Sequence, residues 1–348
     1  MKIFQSDKPF TLECGVTLPG LTVAYHTYGT LNRAKSNCVW VCHALTANSD
    51  VADWWPHTVE EGKFLDPARS FVVCANIIGS CYGSTGPMST DPTSGRPYFD
   101  SFPRLTIRDM VRAHILLADH LGISRIAALV GSSVGGFQAI EWAVEQPERF
   151  DSLVLIATDA YASPWTIAAD ETQRMAILAD PSYGEPRPDA AASGLAAARA
   201  IGMLTYRGGK GYNRSQQDAH DLDADLWHPH RAATYQQHQG RKLTNRFDAY
   251  SYMTILNAFD THNVGRRRGG IRAALARLSM PAVVVGITTD IIFTPEEMRR
   301  LASMIPRAEY DEIQSEFGHD GFLVEHDQLN NIISTFFTKN NISSICQK

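Results

Sequence analysis

The sequence predicts an α/β protein with a mainly parallel sheet, helices on both faces of the sheet, and a helical insertion. Short apolar runs alternate with helix-like segments in the first part of the chain, as in buried parallel strands covered on both faces. This alternation stops near Ser163 and Pro164 and returns after about residue 275. Helix signals dominate in between, and the late strands are too few to form a sheet of their own. We therefore predict an α/β core at 1–162 and 276–348 with a helical lid inserted at 163–275, two independent domains being the alternative.

The individual elements follow from the spacing of the apolar residues. Apolar runs predict strands at residues 38–42, 70–75, 125–130, 152–156, 281–287 and 308–313. Apolar residues at helical spacing, or an Ala-rich composition, predict helices at residues 106–121, 138–145, 190–204 and 295–304. Gly122 is a natural end for the first of these helices. Each predicted helix of the core follows a strand, which is the order that a parallel sheet requires.

Composition and charge narrow the functional class. Of the 348 residues, 44% are hydrophobic and 20% are charged, the profile of an ordinary globular protein. The net charge of −5 argues against a nucleic-acid-binding surface over the whole protein, but it leaves room for a local basic pocket for a phosphate-bearing ligand. No apolar run approaches the ~18 residues of a membrane helix, and the N-terminus turns polar at once. We expect neither a membrane anchor nor a signal peptide.

The six cysteines indicate a reducing compartment. Cys42 and Cys74 lie inside apolar strand-like runs, where a free cysteine packs as a small hydrophobic side chain. No CxxC or CxxH spacing is present, so no metal site is predicted. We therefore expect a cytoplasmic protein with reduced cysteines.

One tight turn carries the strongest chemical signal. A buried strand runs into a Gly-x-Ser-x-Gly turn centred on Ser133, and a helix follows. This context predicts a nucleophile elbow, which projects the Ser133 hydroxyl above the sheet. The turn needs small residues two positions before and two positions after the nucleophile, and Gly131 and Gly135 meet that requirement. For the neighbouring Ser132 both positions would be occupied by valine, which is too bulky. A glycine-rich turn without chemistry is the alternative.

An elbow serine needs an acid and a base from later in the chain, in the order Ser, Asp or Glu, His. Asp290 follows the predicted strand at 281–287, and His319 lies in a glycine-flanked loop after the strand at 308–313. Both positions fall at the carboxyl edge of the predicted sheet, where open α/β sheets build their sites. We predict a triad in which Ser133 attacks, His319 takes its proton, and Asp290 orients the imidazole.

Two backbone amides are predicted to form an oxyanion hole. One belongs to Val134, the residue after the nucleophile. The other belongs to Leu45 in the loop after the first predicted strand, with Ala44 and Thr46 as near alternatives. We interpret His43 as structural, because the role of base is already filled.

Other motifs are weaker. No glycine-rich loop matches a Walker A or dinucleotide-binding pattern. The basic run at 266–268 is interpreted as a solvated face, with a contact to a phosphate as the alternative.

Several longer motifs are spread over the chain. They are found at His43 to Thr46, Gly79 to Pro87, Gly95 to Tyr98, Phe102-Pro103, Thr106 to Met110, Gly131 to Gly136, Gln138 to Trp142 and Gly318 to Asp320. On these motifs the sequence resembles the homoserine O-acetyltransferase family, α/β-hydrolase-fold acyltransferases of methionine biosynthesis. The resemblance covers nearly the whole chain. It implies the α/β-hydrolase fold and ping-pong transfer of an acetyl group from acetyl-CoA to L-homoserine through an acyl-serine. It also implies a homodimer formed through the lid, with acetyl-CoA as co-substrate and no permanently bound cofactor.

The resemblance further assigns an acceptor site. Arg199 matches the family's acceptor-binding arginine, Tyr206 matches a tyrosine near it, and Asp320 matches the acid that binds the acceptor's amino group. A guanidinium fork suits a carboxylate, and a carboxylate suits an ammonium. Ser132 stands where the family often has glycine, and the residues after Asp290 also deviate slightly from the family pattern.

The sequence leaves the substrate pair open. Relatives with the same triad use succinyl-CoA as donor or L-serine as acceptor, and one methylene in a pocket is worth only ~1–3 kcal/mol. An esterase or thioesterase, in which water resolves the acyl-serine, is another alternative, as is a non-catalytic binding module. The triad argues against the module. The set of Arg199, Tyr206 and Asp320 argues against an esterase for neutral esters.

Overall fold

The computed structural model describes residues 1–218, 230–342 and Ile345. Its strands are β1 (Lys2–Ser6), β2 (Phe10–Thr11), β3 (Thr17–Leu18), β4 (Leu21–Tyr28), β5 (Cys38–Cys42), β6 (Phe71–Ala75), β7 (Ala128–Ser132), β8 (Leu153–Ile156), β9 (Ala282–Ile287) and β10 (Ala308–Ile313). Its helices are α1 (Val51–Trp54), α2 (Ile107–His120), α3 (Val134–Glu145), α4 (Pro164–Leu178), α5 (Ala192–Tyr206), α6 (Gly209–Ser215), α7 (Arg231–Thr244), α8 (Ala249–Asp260), α9 (Ile271–Leu275), α10 (Pro295–Met304), α11 (Gly321–Val324) and α12 (His326–Lys339). Short 3₁₀ turns lie at Phe99–Ser101, Pro147–Arg149 and Gly318–Asp320.

In the described part of the chain, eight strands form one sheet in the order β1-β4-β6-β5-β7-β8-β9-β10. The strands from β6 to β10 in that order run parallel to one another. β4 is antiparallel to β6, and β1 is antiparallel to β4. The predicted fold class, an α/β protein with a mainly parallel sheet, is confirmed. Strands β1 and β4 were not predicted, because no continuous apolar run marks them: β1 is mostly exposed, and β4 mixes buried and half-buried side chains.

Strand β5 shows why the parallel strands are continuous apolar runs in the sequence. All five of its side chains are buried. Trp40 packs edge-on against Trp142 of α3 on one face of the sheet, with 5.0 Å between the ring centres. Val39 and Val41 contribute to the apolar cluster on the other face. Burial of such side chains is worth about 1.5–3 kcal/mol each, which holds a helical layer against either face.

Helix ends in the core follow local sequence rules. Helix α2 begins after Thr106, whose side chain accepts from the Asp109 amide while Asp109 bonds back to the Thr106 amide. Helix α10 begins after Thr294 with the same reciprocal arrangement to Glu297. Such capping boxes satisfy amides that a helix start would otherwise leave free. The predicted bounds of these two helices are confirmed to within a residue.

The strand and helix that flank Ser133 differ from their predicted bounds. β7 spans Ala128–Ser132, so it begins three residues later and ends two residues later than predicted. α3 begins at Val134, four residues earlier than predicted. The prediction failed at this start because Gly135 and Gly136 have low helix propensity. Their close contacts with other parts of the chain, described below, explain why glycine stands there.

The chain between β8 and β9 is helical in the described residues and contains α4 to α9. An isolated bridge between Tyr161 and Asn263 connects the two ends of this segment. The division into a core and a lid at 163–275 stays a prediction, and its residues 219–229 lie outside the described ranges. No helix in the described ranges is long and apolar enough to cross a membrane. The five cysteines described are free, and Cys346 lies outside the described residues.

Candidate active site

Ser133 lies in a strained turn between β7 and α3. Its φ of 53° and ψ of −127° place it in a region that non-glycine residues rarely adopt. A Cβ on Gly131 would lie 2.4 Å from the Gly135 carbonyl oxygen, and a Cβ on Gly135 would lie 2.0 Å from the Cys42 carbonyl oxygen. The turn therefore tolerates only glycine at the two positions that the sequence singled out.

Ser132, the neighbouring serine, ends strand β7 and is fully buried. Its hydroxyl has no hydrogen-bond partner among the described residues. Ser133, by contrast, is partly exposed and lines a cavity. The structure thus separates the two serines in the way the elbow argument predicts.

The structure brings the three predicted triad residues together. His319 Nε2 lies 2.9 Å from Ser133 Oγ, and His319 Nδ1 lies 2.7 Å from Asp290 Oδ2. Because a carboxylate oxygen accepts, Nδ1 carries the proton and Nε2 is free to accept from the serine. The other oxygen of Asp290 accepts from the amides of Ile292 and Phe293, which fixes the carboxylate. This is the geometry of a nucleophile, a base and an orienting acid.

Two opposing effects act on the catalytic imidazole. Burial lowers the pKa of His319, while the Asp290 carboxylate, through its charge and hydrogen bond, raises it. Asp320 adds to the upward effect, and the net shift of the pKa is upward. The pair with Asp290 therefore stabilises the imidazolium that forms when the serine is deprotonated.

The two predicted oxyanion donors both line the cavity beside Ser133. Among the residues described, neither the Leu45 amide nor the Val134 amide donates a hydrogen bond to the protein. The Ala44 carbonyl, which shares a peptide plane with the Leu45 amide, accepts from the Ala47 amide at 3.1 Å and from His43 Nδ1 at 2.8 Å. Since a trans peptide is planar, fixing that carbonyl also fixes the direction of the Leu45 N–H.

His43 itself does not face the reacting serine as a second base. Its Nδ1 donates to the Ala44 carbonyl, and its Nε2 accepts from the Ile77 amide at 3.1 Å. Burial lowers the pKa of His43 to about 4, so the ring stays neutral. This agrees with the structural role that the sequence suggested.

The cavity has a volume of about 530 Å³, within the usual range for small-molecule sites. Its polar lining includes Arg199, Tyr206 and Asp320, so the structure places all three predicted acceptor residues in the cavity of the triad. Arg199 lies over the Tyr206 ring, with 5.5 Å from Cζ to the ring centre. Within the described residues, no carboxylate forms an ion pair with Arg199. The guanidinium is thus available to an anionic ligand.

Asp320 is paired in a way that sequence reasoning missed. Arg207, directly after helix α5, places its Nε 3.0 Å from Asp320 Oδ2. Burial raises the pKa of Asp320, while Arg207, His319 and Arg199 oppose that effect. The next residue, Gly208, is so close to the loop of His319 that a Cβ there would lie 2.3 Å from the Glu316 carbonyl oxygen. Only the tertiary fold brings Arg207 to this loop, and the sequence holds no signal for the pair.

A second lining carboxyl, Asp170, was also not predicted. Burial and the neighbouring Asp260 raise the pKa of Asp170 well above its ordinary value. Gln173 donates to Asp170 Oδ1 at 3.0 Å, and Arg174 lies 2.6 Å from Asp260. Burial and the nearby Asp260 therefore both disfavour the charged form of Asp170, whereas three positive groups counteract the burial of Asp320.

The interpretation of the arginine run at 266–268 as a solvated face is wrong for Arg266 and Arg268, whereas Arg267 is exposed. Arg266 pairs with Glu13 at 2.5 Å, and Arg268 pairs with the fully buried Glu141 at 2.6 Å. Arg108 also bonds to Glu141. A lone buried carboxylate is costly, so these arginines are needed as counter-charges. No group of three or more His, Cys, Asp and Glu side chains suited to a metal ion occurs in the described ranges.

The fold and the site together define a class of protein. The sequence profile of the alpha/beta hydrolase fold family matches residues 37–326. With an elbow serine, a histidine and an aspartate at the carboxyl edge of the sheet, the chain belongs to this family of enzymes.

Individual relatives narrow the class further. The homoserine O-acetyltransferase of Cyclobacterium marinum is 42% identical over 340 residues, covering 98% of this chain and 96% of the relative. The crystal structure of homoserine O-acetyltransferase from Staphylococcus aureus is 28% identical with a TM-score of 0.79, covering 97% of this chain and 95% of that one. The acetyl esterase MekB is 25% identical with a TM-score of 0.85, covering 97% and 96%. The chain belongs to the homoserine O-acetyltransferase family.

Proposed function

We propose that the protein transfers an acetyl group from acetyl-CoA to the side-chain hydroxyl of L-homoserine, through an acetyl group carried on Ser133. The relatives named homoserine O-acetyltransferase support this assignment. The observation that carries it is the unpaired Arg199 guanidinium in the cavity of the triad, opposite in charge to Asp320. A site with both charges suits an amino acid better than a neutral ester.

The first half-reaction is acylation of the enzyme. Ser133 Oγ attacks the thioester carbonyl carbon while His319 Nε2 takes the serine proton. Asp290 stabilises the resulting imidazolium, and the amides of Leu45 and Val134 bind the oxyanion. The C–S bond then breaks, and His319 returns the proton to the leaving CoA sulfur. The acetyl group remains on Ser133.

The second half-reaction runs the same steps with the acceptor. The homoserine hydroxyl gives its proton to His319 and attacks the acetyl-serine carbonyl carbon. The tetrahedral intermediate collapses, the ester bond to Ser133 breaks, and the serine regains its proton from His319. O-acetyl-homoserine leaves, and the two half-reactions make a ping-pong cycle.

Two side chains hold the acceptor in this proposal. Arg199 offers a planar, permanently charged fork to the acceptor carboxylate. Asp320, one residue after the base, takes the ammonium. Tyr206 lies under the Arg199 guanidinium, and burial raises the pKa of Tyr206 to about 12, so it stays a neutral hydrogen-bonding phenol. Fixing two charged groups leaves the hydroxyl as the group presented to the acyl carbon.

An acetyl esterase is the second candidate, because MekB shares the fold with a TM-score of 0.85. In an esterase, water replaces homoserine in the second half-reaction. L-serine as acceptor and succinyl-CoA as donor are further alternatives: serine is one methylene shorter than homoserine, and a succinyl group carries an additional carboxymethyl group. A requirement for Arg199 in the second half-reaction would distinguish an amino-acid acceptor from water.

The test measures CoA release from acetyl-CoA with and without L-homoserine, and identifies the product by mass spectrometry. We expect CoA turnover that depends on homoserine, and an acetylated protein when homoserine is left out. Ser133→Ala should abolish both signals. Ser132→Ala is the matched control and should retain most activity. Equal CoA release without homoserine would instead establish a thioesterase.

Separate measurement of the two half-reactions tests the acceptor site. Arg199→Lys and Asp320→Asn should acylate like wild type but lose about 10- to 150-fold in transfer to homoserine, since a charged hydrogen bond is worth about 1.5–3 kcal/mol. If both variants transfer normally, the acceptor is not an amino acid held by these residues.

We further propose that acetyl-CoA acts as a co-substrate without a permanently bound cofactor, that the protein works in the cytoplasm, and that it forms a homodimer through the lid.

A further inference from the structure

The loop that supplies the Leu45 amide is a single turn. The Ala47 amide donates to the Ala44 carbonyl, so Leu45 and Thr46 occupy the two central positions. Inside the core, His43 holds the Ala44 carbonyl. On its outer side the turn is exposed to the cavity, and its Thr46 carbonyl has a partner from a distant part of the chain.

That partner is Arg246, in the connection between α7 and α8. Its Nη1 donates to the Thr46 carbonyl at 2.5 Å and also to the Tyr82 hydroxyl. No carboxylate pairs with Arg246 in the described ranges. The guanidinium therefore donates to two neutral oxygens, and one of these, the Thr46 carbonyl, belongs to the residue after Leu45.

The backbone around Arg246 is well anchored. Its amide donates to the Leu243 carbonyl at 2.9 Å, and its own carbonyl accepts from Cys81 Sγ at 3.4 Å. Leu243 and Phe247, on the two sides of Arg246, are buried. The guanidinium thus extends from a fixed point of the helical segment to the Leu45–Thr46 turn.

We propose that Arg246 is a positioning residue for the oxyanion hole: by holding the Thr46 carbonyl, it fixes the turn that aims the Leu45 amide at the reacting carbonyl oxygen. Tyr82 supports it by accepting from the same guanidinium nitrogen. Because Tyr82 lies within the Gly79–Pro87 motif, this proposal also assigns a function to that motif. The inference rests on the proposed function only because it requires a tetrahedral intermediate with an oxyanion. Ester hydrolysis passes through the same kind of intermediate.

The effect should be a loss in rate rather than in binding. A displaced Leu45 amide would still admit substrate, but it would stabilise the oxyanion poorly. Loss of a whole oxyanion donor costs about 10²- to 10³-fold in kcat, and misplacement by about an ångström can cost up to about 10²-fold. We therefore expect a loss of about 10- to 100-fold in the acylation rate when the guanidinium is removed.

The test uses acylation by p-nitrophenyl acetate, which has no phosphates or CoA moiety for Arg246 to bind. Arg246→Ala should lower kcat by the stated factor with little change in KM. Arg246→Lys, which can reach the Thr46 carbonyl with one donor, should recover part of the rate. Tyr82→Phe should cost less than Arg246→Ala, and it should cost nothing further in the Arg246→Ala background.

A trifluoromethyl ketone provides a readout that a merely structural role would not change. Its adduct with Ser133 places an oxyanion in the hole, so its affinity should fall in proportion to kcat in each variant. Arg241→Ala is the matched control, because Arg241 is exposed on α7 and does not line the cavity. Thermal melting of every variant checks the fold, and Tyr82→Phe and Arg246→Lys keep the test valid if Arg246→Ala is unstable.

Two results would overturn the proposal. If Arg246→Ala reacts normally with p-nitrophenyl acetate but poorly with acetyl-CoA, Arg246 binds the donor's phosphates and does not position the hole. A rise in KM with unchanged kcat and unchanged inhibitor affinity would also refute it. The proposed function fails separately, if the wild-type protein is acylated by p-nitrophenyl acetate but does not transfer acetyl groups to homoserine. In that case the comparison among the Arg246 and Tyr82 variants still tests the role of Arg246.

Discussion

At the scale of single residues, His319 connects the electrostatics of the site to a measurable pH dependence. The base must be neutral to accept the serine proton. Because the net shift of its pKa is upward, the imidazolium persists above the ordinary value of about 6.5, and acylation should rise with pH to a midpoint above that value. The pH profile of kcat/KM for acetyl-CoA measures that midpoint in the free enzyme.

Asp290→Asn is the matching variant for this profile. It removes the larger of the two effects that raise the pKa of His319 and leaves the burial that lowers it, so the midpoint should move to lower pH. The rate should also fall, by up to about 10⁴-fold, the loss seen for the same change in a serine protease. A midpoint that stays where it was would mean that Asp290 does not control the imidazole.

Arg207 supplies a second prediction at this scale. Arg207 lowers the pKa of Asp320, whereas burial raises it. When the positive charge of Arg207 is removed, the pKa of Asp320 should therefore rise further. Arg207→Gln should therefore raise the KM for homoserine by about tenfold at neutral pH, a loss of about 1.4 kcal/mol, and leave acylation by acetyl-CoA unchanged. Raising the pH should restore part of the affinity, because it ionises Asp320 again.

Arg214→Gln controls for the loss of a neighbouring arginine. Arg214 pairs with Glu316 on the same loop but does not line the cavity. A lower KM for homoserine in Arg207→Gln would contradict the prediction, since it would show that Arg207 competes with the ammonium for Asp320.

These residues also show which part of the site the sequence could reveal. Ser133 was predictable because its two glycines and its flanking strand and helix are local in sequence. Asp290 and His319 could be found because a parallel sheet brings the carboxyl ends of its strands to one edge. Arg207 and Arg246 have no such local context. Each meets its partner more than 100 positions away in the chain, through packing that no motif encodes.

At the scale of elements, the elbow depends on backbone contact between β5 and α3. A Cβ on Gly135 would meet the Cys42 carbonyl at the end of β5, and a Cβ on Gly136 would meet the Thr158 side chain. The sequence predicted the strands on both sides of this contact. It did not predict the start of α3, because propensity alone disfavours two glycines in a first turn while tertiary contact requires them.

Strand position in the sheet explains the other differences. β5, β7 and β9 are buried on both faces, so burial makes them continuous apolar runs. β1 lies at the edge of the sheet with only Phe4 buried, and its five residues carry too little apolar signal to be recognised. The central parallel strands can thus be predicted from the sequence, whereas the antiparallel strand at the edge cannot.

At the scale of the whole molecule, the helical segment between β8 and β9 contacts the site at two separate points. The turn at Arg207 and Gly208 packs on the catalytic loop before His319. The connection between α7 and α8 reaches the oxyanion loop through Arg246. The segment therefore both lines the cavity and contacts two of the loops that carry the predicted site residues.

The same segment carries an exposed apolar surface, and this supports the expected homodimer. Among the described residues of helices α4 and α5, the large apolar side chains that remain exposed are Trp165, Ile167, Met175, Leu178 and Leu204. Met175 is 61% exposed although it is large and apolar. By helical spacing Ile167, Met175 and Leu178 share one face of α4, and adjacent exposed apolar side chains are typical of an interaction site. A second copy of the chain is the partner that the family resemblance implies.

We therefore predict that the wild-type protein has twice the 38.5 kDa chain mass in light scattering at micromolar concentration. The double variant Met175→Asp with Leu178→Asp should be monomeric, because burying two carboxylates in an apolar interface costs several kcal/mol. Leu116→Asp, which places the same charge on an exposed apolar position of α2 outside this segment, should remain dimeric. Acylation by p-nitrophenyl acetate should persist in the monomer, since Ser133, His319 and Asp290 all come from one chain. A monomeric wild type, or a double variant that stays dimeric, would show that α4 does not form the interface.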